Sequence, residues 1–468
     1  MKQQLSEKLV PFGQQHLLTF WDGLDEAGQR RLAAQINAID FRLIERLTRD
    51  GASHEDWQAL SERAAPPPAV RAGEAFSLIA GRSVSSTEAR ERGQQALAVG
   101  QIGVLLVAGG QGSRLGFEHP KGMFPIGPVS SATLFQIHFE KVVATARRYG
   151  ARIPVYVMTS PATHEETIVF LDSHDRFGLA ADDLTIFCQG TMPAVDAATG
   201  KLLLADRDQL FLSPDGHGGT VEALRRSGVI EQMGAAGIEH LFYFQVDNPL
   251  APVADPGFLG YHLLAESELT TLVVAKQSPE EKLGNVVSVD GKLQIIEYTD
   301  LPVEAAGRRA EDGSLALWAG STAIHGMDVA FLDRMTRSQD GLPFHVSEKK
   351  VPHLDVGGQR IEPEKPNALK FERFIFDLLP AAERTIVVEA RPADCFAPVK
   401  NGAGAATDTP VSARAAIVAM HRHWLEQAGS EVIASIAVEI SPLWALDAQQ
   451  VADRIPAGQK VVTDTYFV

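Results

Sequence analysis

VLLVAGGQGSRLGFEHPKG, residues 104–122, opens with five apolar residues and runs straight into four glycines, Gly109, Gly110, Gly112 and Gly116, with cations at Arg114 and Lys121. An apolar run of that length entering a glycine-rich turn reads as a buried strand feeding a phosphate cradle. Backbone N–H groups can converge there on an anion without Cβ interference, and the two cations can neutralise what the amides hold. The two commoner phosphate motifs do not fit. A Walker A loop needs Lys directly after its last Gly, and Gly116 is followed by Phe117; the dinucleotide fingerprint needs Gly three residues after Gly112, where Leu115 stands.

Working outward, apolar segments alternate with helical ones. VLLVA is followed by a helix in SATLFQIHFEKVVATARRYG that closes at Gly150, then by PVYVMTS, LTIFCQG, LFYFQVD and TTLVVAK. Apolar strands separated by helices indicate an α/β fold with a mostly parallel sheet buried on both faces. Ligands of such sheets sit outside the carboxyl ends of the strands, where the Gly109 loop, Gln189 and Asp247 fall. Asp290-Gly291 joins VVSV to LQIIEY as a type I′ hairpin. Upstream, Leu32, Ile36, Ile39, Leu43 and Leu47 recur at helical steps, Pro66 to Pro68 interrupt the pattern, and a further helix from Thr87 ends at Gly100. Downstream of residue 398, SARAAIVAMHRHWLEQAG and IASIAVEISPLWAL suggest a small α/β domain. The expected organisation is an N-terminal helical region over 1–98, a catalytic domain over 99–398 and a C-terminal domain over 399–468.

Composition narrows the function. The 468 residues are 45% hydrophobic and 22% charged, as expected for a globular chain with a large core. A net charge of −16 argues against a nucleic-acid partner, whose phosphates call for clustered Lys and Arg. Cys188 and Cys395 are far apart and lack metal-ligand spacing. With no apolar leader and no run of about 18 apolar residues, no membrane segment is expected, and the chain is read as cytoplasmic; its sequence leaves the oligomeric state open, with a monomer as one expectation.

With Pro120, Lys121 and Gly122 at their offsets, the opening stretch carries an LxxGGxGxRLG…PKG pattern. The chain resembles the UDP-glucose pyrophosphorylase family of nucleotidyltransferases, in its UDP-N-acetylhexosamine pyrophosphorylase branch. That resemblance implies a Rossmann-like, GT-A-like sheet and Mg²⁺-dependent joining of UTP to a sugar 1-phosphate, with release of pyrophosphate. It implies catalytic roles for Arg114, Lys121 and Lys400, and nucleotide contacts from Gly109, Gly110, Gly112, Gly218 of PDGHGG, and Asn248. Asp247 of QVDNP resembles the metal-holding Asp, although an Asp-Asn turn after a strand serves equally as a helix cap. Gln189 resembles the uracil reader, its amide matching an imide edge that offers donor and acceptor; a loop Gln is the plain alternative. Gly284, Glu297 and Ser321 correspond to the sugar side, and Lys370 and Lys400 to late phosphate-contacting motifs. Ser321 departs from the family's usual Asn, which leaves the sugar open between an N-acetylhexosamine and glucose. A UDP-sugar glycosyltransferase is the competing class, with Asp206-Arg207-Asp208 as its metal motif.

Overall fold

The computed structural model describes residues 1–49, 56–338, 341–456 and 458–468; positions 50–55 of the N-terminal region lie outside them. The chain forms two compact units, each assembled from segments far apart in sequence. One contains Met1–Asp56, Gln189–Glu222 and Gln339–Asp377; the other contains Trp57–Cys188, Ala223–Ser338 and Leu378–Val468.

The larger unit is built on a ten-stranded sheet. Its strands in chain order are β1 (Ala69–Val70), β2 (Ile102–Val107), β3 (Val155–Thr159), β4 (Leu184–Cys188), β5 (His240–Gln245), β6 (Leu269–Ala275), β7 (Asn285–Val289), β8 (Lys292–Ile296), β9 (Ala319–Asp328) and β10 (Thr385–Glu389). The spatial order is β1-β10-β6-β9-β5-β2-β3-β4, with the β7–β8 hairpin attached to β9. Neighbours pair in parallel except β9, which runs antiparallel to both β5 and β6. The central strands are near-continuous in Val, Leu, Phe and Ile because helices cover both faces, and alternation would leave polar groups buried. Because β5, β2, β3 and β4 are parallel neighbours, the residues that follow β5, β2 and β3 emerge along one edge. Asp247, Gly109 and Ser160 are those residues. The hairpin turn Asp290-Gly291 has φ of 51° and 81°, the positive pair that a type I′ turn requires.

Within residues 1–98, expected to be helical, the structure adds β1 and a hairpin, Phe76–Ile79 with Arg82–Ser85. Its turn, Ala80-Gly81, also has two positive φ values, 48° and 77°. An Ala at such a position gives little signal in a sequence, which is why the alternation of FSLI and RSVS goes unnoticed. Helix Ser86–Ala98 then leads into β2, capped by Ser85, whose hydroxyl accepts the Glu88 N–H.

The smaller unit packs Leu5, Leu9, Leu17, Leu32 and Ile36 of the N-terminal helices against Val195, Leu204 and Phe371. The Gln14 amide donates to the Gly200 carbonyl at 2.9 Å and accepts the Leu202 N–H at 3.0 Å. In the C-terminal part of the larger unit, helix Pro410–Gln427 precedes two short parallel strand pairs, with Leu425, Val438 and Val451 in their core. Glu439, on the strand Val438–Ile440, accepts the Val129 and Ser130 N–H groups, both at 2.7 Å, and the Ser130 hydroxyl at 2.6 Å. The C-terminal segment thereby fixes the loop that follows Lys121.

Three histidines of this unit are buried as neutral rings. Burial pulls His138, His262 and His421 each down to about 3. Their folded values lie below the unfolded one near 6.5, so the unfolded chain binds more protons between about pH 6.5 and 3. Stability from these residues is complete above pH 6.5 and is lost as pH falls through that window. Around pH 5, unfolding takes up about three protons at these sites, a slope of about 4 kcal/mol per pH unit. Urea midpoints should therefore fall steeply below about pH 6, and a midpoint level from about pH 7 to 5 would contradict this account.

Candidate active site

β2 ends against the glycine loop, and the loop folds back on itself. Gly112 N–H donates to His119 O at 2.9 Å, Lys121 N–H to Gly110 O at 3.0 Å, and Gln111 pairs with Pro120. This return explains the spacing between GG and PKG: it brings Lys121 back beside Gly110. Only Gly116 of the four glycines needs a left-handed backbone, with φ 70°. Gly112 is required by space, since a Cβ there would stand 2.7 Å from Phe117 O; Gly122 is likewise closed off by the Phe135 ring at 2.3 Å. A Cβ on Gly110 would meet nothing within 4 Å, so that face of the loop is open to a ligand. Ser160, at the end of β3, donates its hydroxyl to Gly109 O at 2.7 Å. In a trans peptide this turns the Gly110 N–H to the opposite side. Sequence reading passed over Ser160; the Thr-Ser pair at the end of an apolar strand is the signal that could have found it.

Asp247 stands two residues beyond β5, nearly buried, and its carboxylate lies 3.4 Å from the Lys121 ammonium. Its carbonyl accepts the Val399 N–H at 2.8 Å, which brings the next residue, Lys400, to the same corner. A Cβ on Gly402 would stand 3.1 Å from Arg114 O, so the 400–408 segment lies against the glycine loop. Arg114 itself is exposed. Asp408 closes that segment, its carbonyl accepting the Lys400 and Asn401 N–H groups at 2.8 and 2.9 Å. Burial raises the pKa of the Asp408 carboxyl; Lys400 lowers it, and the negative charge of Asp247 raises it again. A second carboxylate therefore feels both Asp247 and Lys400. Sequence reading passed over Asp408, which stands directly before the Thr409 cap of helix Pro410–Gln427. Asn248, grouped with the nucleotide contacts, commits its side chain to backbone: it donates to Cys395 O at 2.7 Å and accepts from Ala397 N at 3.1 Å and Leu250 N at 3.3 Å.

The sugar-side residues also come together. Ser321 N–H donates to Gly284 O at 2.8 Å, and a Cβ on Gly284 would stand 3.2 Å from a Glu297 carboxylate oxygen. The Ser321 hydroxyl accepts the Ala323 N–H at 3.3 Å, where the register with β6 shifts and Ala323 has φ 57°. Nearby, the Lys276 ammonium donates to the buried Asn285 side chain at 2.8 Å.

Gln189, Gly218 and Lys370 belong to the smaller unit. Gln189 is buried directly after β4. Gly218 presses on the Arg373–Phe374 backbone and donates its N–H to Arg373 O at 2.8 Å. Lys370 lies in the strand Ala368–Glu372, its ammonium 5.1 Å over the Phe211 ring, and burial lowers its pKa. The Asp206-Arg207-Asp208 pattern sits in a tight hairpin turn of the same unit, where Asp208 is paired with Arg31 at 2.8 Å.

A mostly parallel sheet with a glycine loop, two lysines and a carboxylate at its carboxyl edge defines a nucleotidyltransferase of the Rossmann-like class. The chain belongs to the UTP–glucose-1-phosphate uridylyltransferase family, whose profile matches residues 55–449. It is 35% identical over 446 residues to the human UDP-N-acetylhexosamine pyrophosphorylase-like protein 1, covering 92% of this chain and 87% of that one. With the UDP-N-acetylglucosamine pyrophosphorylase of Saccharomyces cerevisiae it shares 33% identity over 447 residues, 92% and 93% of the two chains. The Trypanosoma brucei uridine diphosphate N-acetylglucosamine pyrophosphorylase, solved with an inhibitor, matches with a TM-score of 0.80 at 25% identity over 98% of each chain.

Proposed function

We propose that the protein is a uridylyltransferase that makes a UDP-sugar and pyrophosphate from UTP and an N-acetylhexosamine 1-phosphate. The observation that carries this reading is the return of Lys121 to Gly110, with its ammonium 3.4 Å from Asp247 at the carboxyl edge of the sheet. A phosphate oxygen of the sugar 1-phosphate attacks the UTP α-phosphorus in line, the bond to the β-phosphate oxygen breaks, and pyrophosphate leaves. No general base is required, since the attacking phosphate is already an anion. The open face at Gly110 and its N–H hold the nucleotide phosphates, while Lys121, Lys400 and Arg114 offset negative charge that grows in the transition state. Glu297, of the same unit, accepts sugar hydroxyls.

Magnesium suits the donors on hand. Among the described residues no group of three or more His, Cys, Asp or Glu side chains could hold a metal ion. Mg²⁺ needs no such cage, since it binds through one or two carboxylates together with waters and substrate phosphates. Asp247 would hold it, and the ion would supply charge neutralisation on the phosphates. Among the described residues no helix is long and apolar enough to cross a membrane. A chain with only two cysteines, 207 positions apart in sequence, suits the reducing cytoplasm, where we place the reaction.

The test is pyrophosphate release from UTP with Mg²⁺ and each of N-acetylglucosamine, N-acetylgalactosamine and glucose 1-phosphates. Release with the N-acetylhexosamines is expected, and no release with any of the three rejects the reading. Ser321 should set the width of this preference, because its short hydroxyl already leans on the Ala323 N–H. Ser321→Asn adds reach and a second polar atom and should raise N-acetylhexosamine over glucose kcat/KM about tenfold, the size of one hydrogen bond. Ratios agreeing within about twofold would mean that a bound water already makes that contact.

A further inference from the structure

The turn carrying Asp247 is held by side chains of one helix. Leu134–Tyr149 begins at a Thr133 cap and ends at Gly150 in the left-handed conformation, so its register is fixed at both ends. His138 and Lys141, three residues apart, lie on one face of it. His138 Nε2 donates to Val246 O at 2.9 Å; Lys141 Nζ donates to Pro249 O at 2.6 Å and Ala251 O at 2.8 Å. The accepting residues bracket Asp247 in sequence, one directly before it and two shortly after.

We propose that His138 and Lys141 are positioning residues for Asp247, clamping the Val246–Ala251 turn so that the carboxylate is presented at a fixed depth beside Lys121. Neither side chain touches the reacting groups; both act through backbone carbonyls. Placing a lysine here is otherwise unfavourable. Burial pulls its amine down to about 7, and a Met or Leu would pack without that cost. What an apolar residue would not supply is two N–H donors at one point, which lysine offers in either protonation state. A misplacement of about 1 Å can cost roughly 10²-fold in rate, so a clamp remote from the chemistry can govern kcat. Beside Lys141 lies a cavity of about 140 Å³, bordered by Arg148, Leu250, Asp255 and Trp424. It leaves room for the longer guanidinium, so Lys141→Arg can keep the bonds.

This inference rests on the reading of Asp247 as the metal carboxylate, and the experiment separates the two. Lys141→Met, Lys141→Arg and Asp247→Asn are compared with wild type by hydrogen–deuterium exchange of the 246–251 segment without metal, and by kcat, KM and half-saturating Mg²⁺. Lys141→Met should exchange faster in that segment, lose about tenfold in kcat, need several-fold more Mg²⁺ and keep its sugar 1-phosphate KM within about twofold. Lys141→Arg should restore all of these. Should Lys141→Met fold poorly, His138→Leu removes the bond on the other side of Asp247 and should show the same signs at about threefold. Wild-type exchange and wild-type Mg²⁺ dependence in a folded Lys141→Met protein would overturn the clamp. Faster exchange with unchanged Mg²⁺ dependence would overturn the role toward Asp247, and Asp247→Asn then shows whether that carboxylate was misassigned.

Discussion

Lys121→Ala and Asp247→Ala should each lower kcat by roughly 10²-fold or more while leaving the fold intact. Both side chains lie at the carboxyl edge of the sheet, 17% and 12% exposed, where water screens little of their charge. What each provides grows as charge shifts toward the departing pyrophosphate, so kcat and kcat/KM should fall together. The two sit 3.4 Å apart in one network, so the double variant should lose much less than the product of the single losses. Steady-state kinetics on variants with wild-type urea midpoints make the check. A folded Asp247→Ala enzyme with full activity would remove the metal role.

Gly260→Ala should destabilise the protein by on the order of 3 kcal/mol or more, with the chemistry untouched. Helices Ser86–Ala98 and Pro256–Leu264 cross with their backbones in contact. A Cβ on Gly260 would stand 1.6 Å from Ala89 O, and one on Gly93 1.9 Å from Pro256 O. Neither obstacle is a flexible side-chain end, so whole helices must separate. The better helix propensity of Ala, about 1 kcal/mol, opposes this loss without matching it. Gly234, in helix Val229–Ala235, is the control: a Cβ there meets nothing within 4 Å. Gly234→Ala should stabilise by about 0.4–1 kcal/mol, the opposite sign. Urea unfolding of both variants decides, and a Gly260→Ala midpoint at or above wild type would contradict the packing described.

Much of the architecture was legible because its signals are local. The apolar runs of β2, β3, β5 and β6, the Gly150 cap and the Asp290-Gly291 turn each depend on a few adjacent residues. The hairpin at Phe76–Ser85 was not legible, because Ala80 takes a conformation that sequence assigns to Gly or Asn. Gly93 reads as a weak point within a helix until the partner backbone of Pro256 is seen against it. The same holds in the site. Gly110, Lys121 and Asp247 stand in motifs, whereas Ser160, His138, Lys141 and Asp408 act on Gly109, Val246, Pro249 and Asp247 from 51 to 161 positions away, which no spacing rule encodes. Asn248 shows the converse, a motif residue whose side chain holds the backbone of the turn.

The most direct measurement runs the reaction backward. Purified protein is given UDP-N-acetylglucosamine, Mg²⁺ and labelled pyrophosphate, and the nucleotides are separated. The account predicts label in UTP, in its β and γ phosphates, formed with an equal amount of N-acetylglucosamine 1-phosphate and abolished by Lys121→Ala. A glycosyltransferase would instead release UDP and leave the label in pyrophosphate. Label confined to pyrophosphate, with protein that is folded and binds UTP, would contradict the assignment.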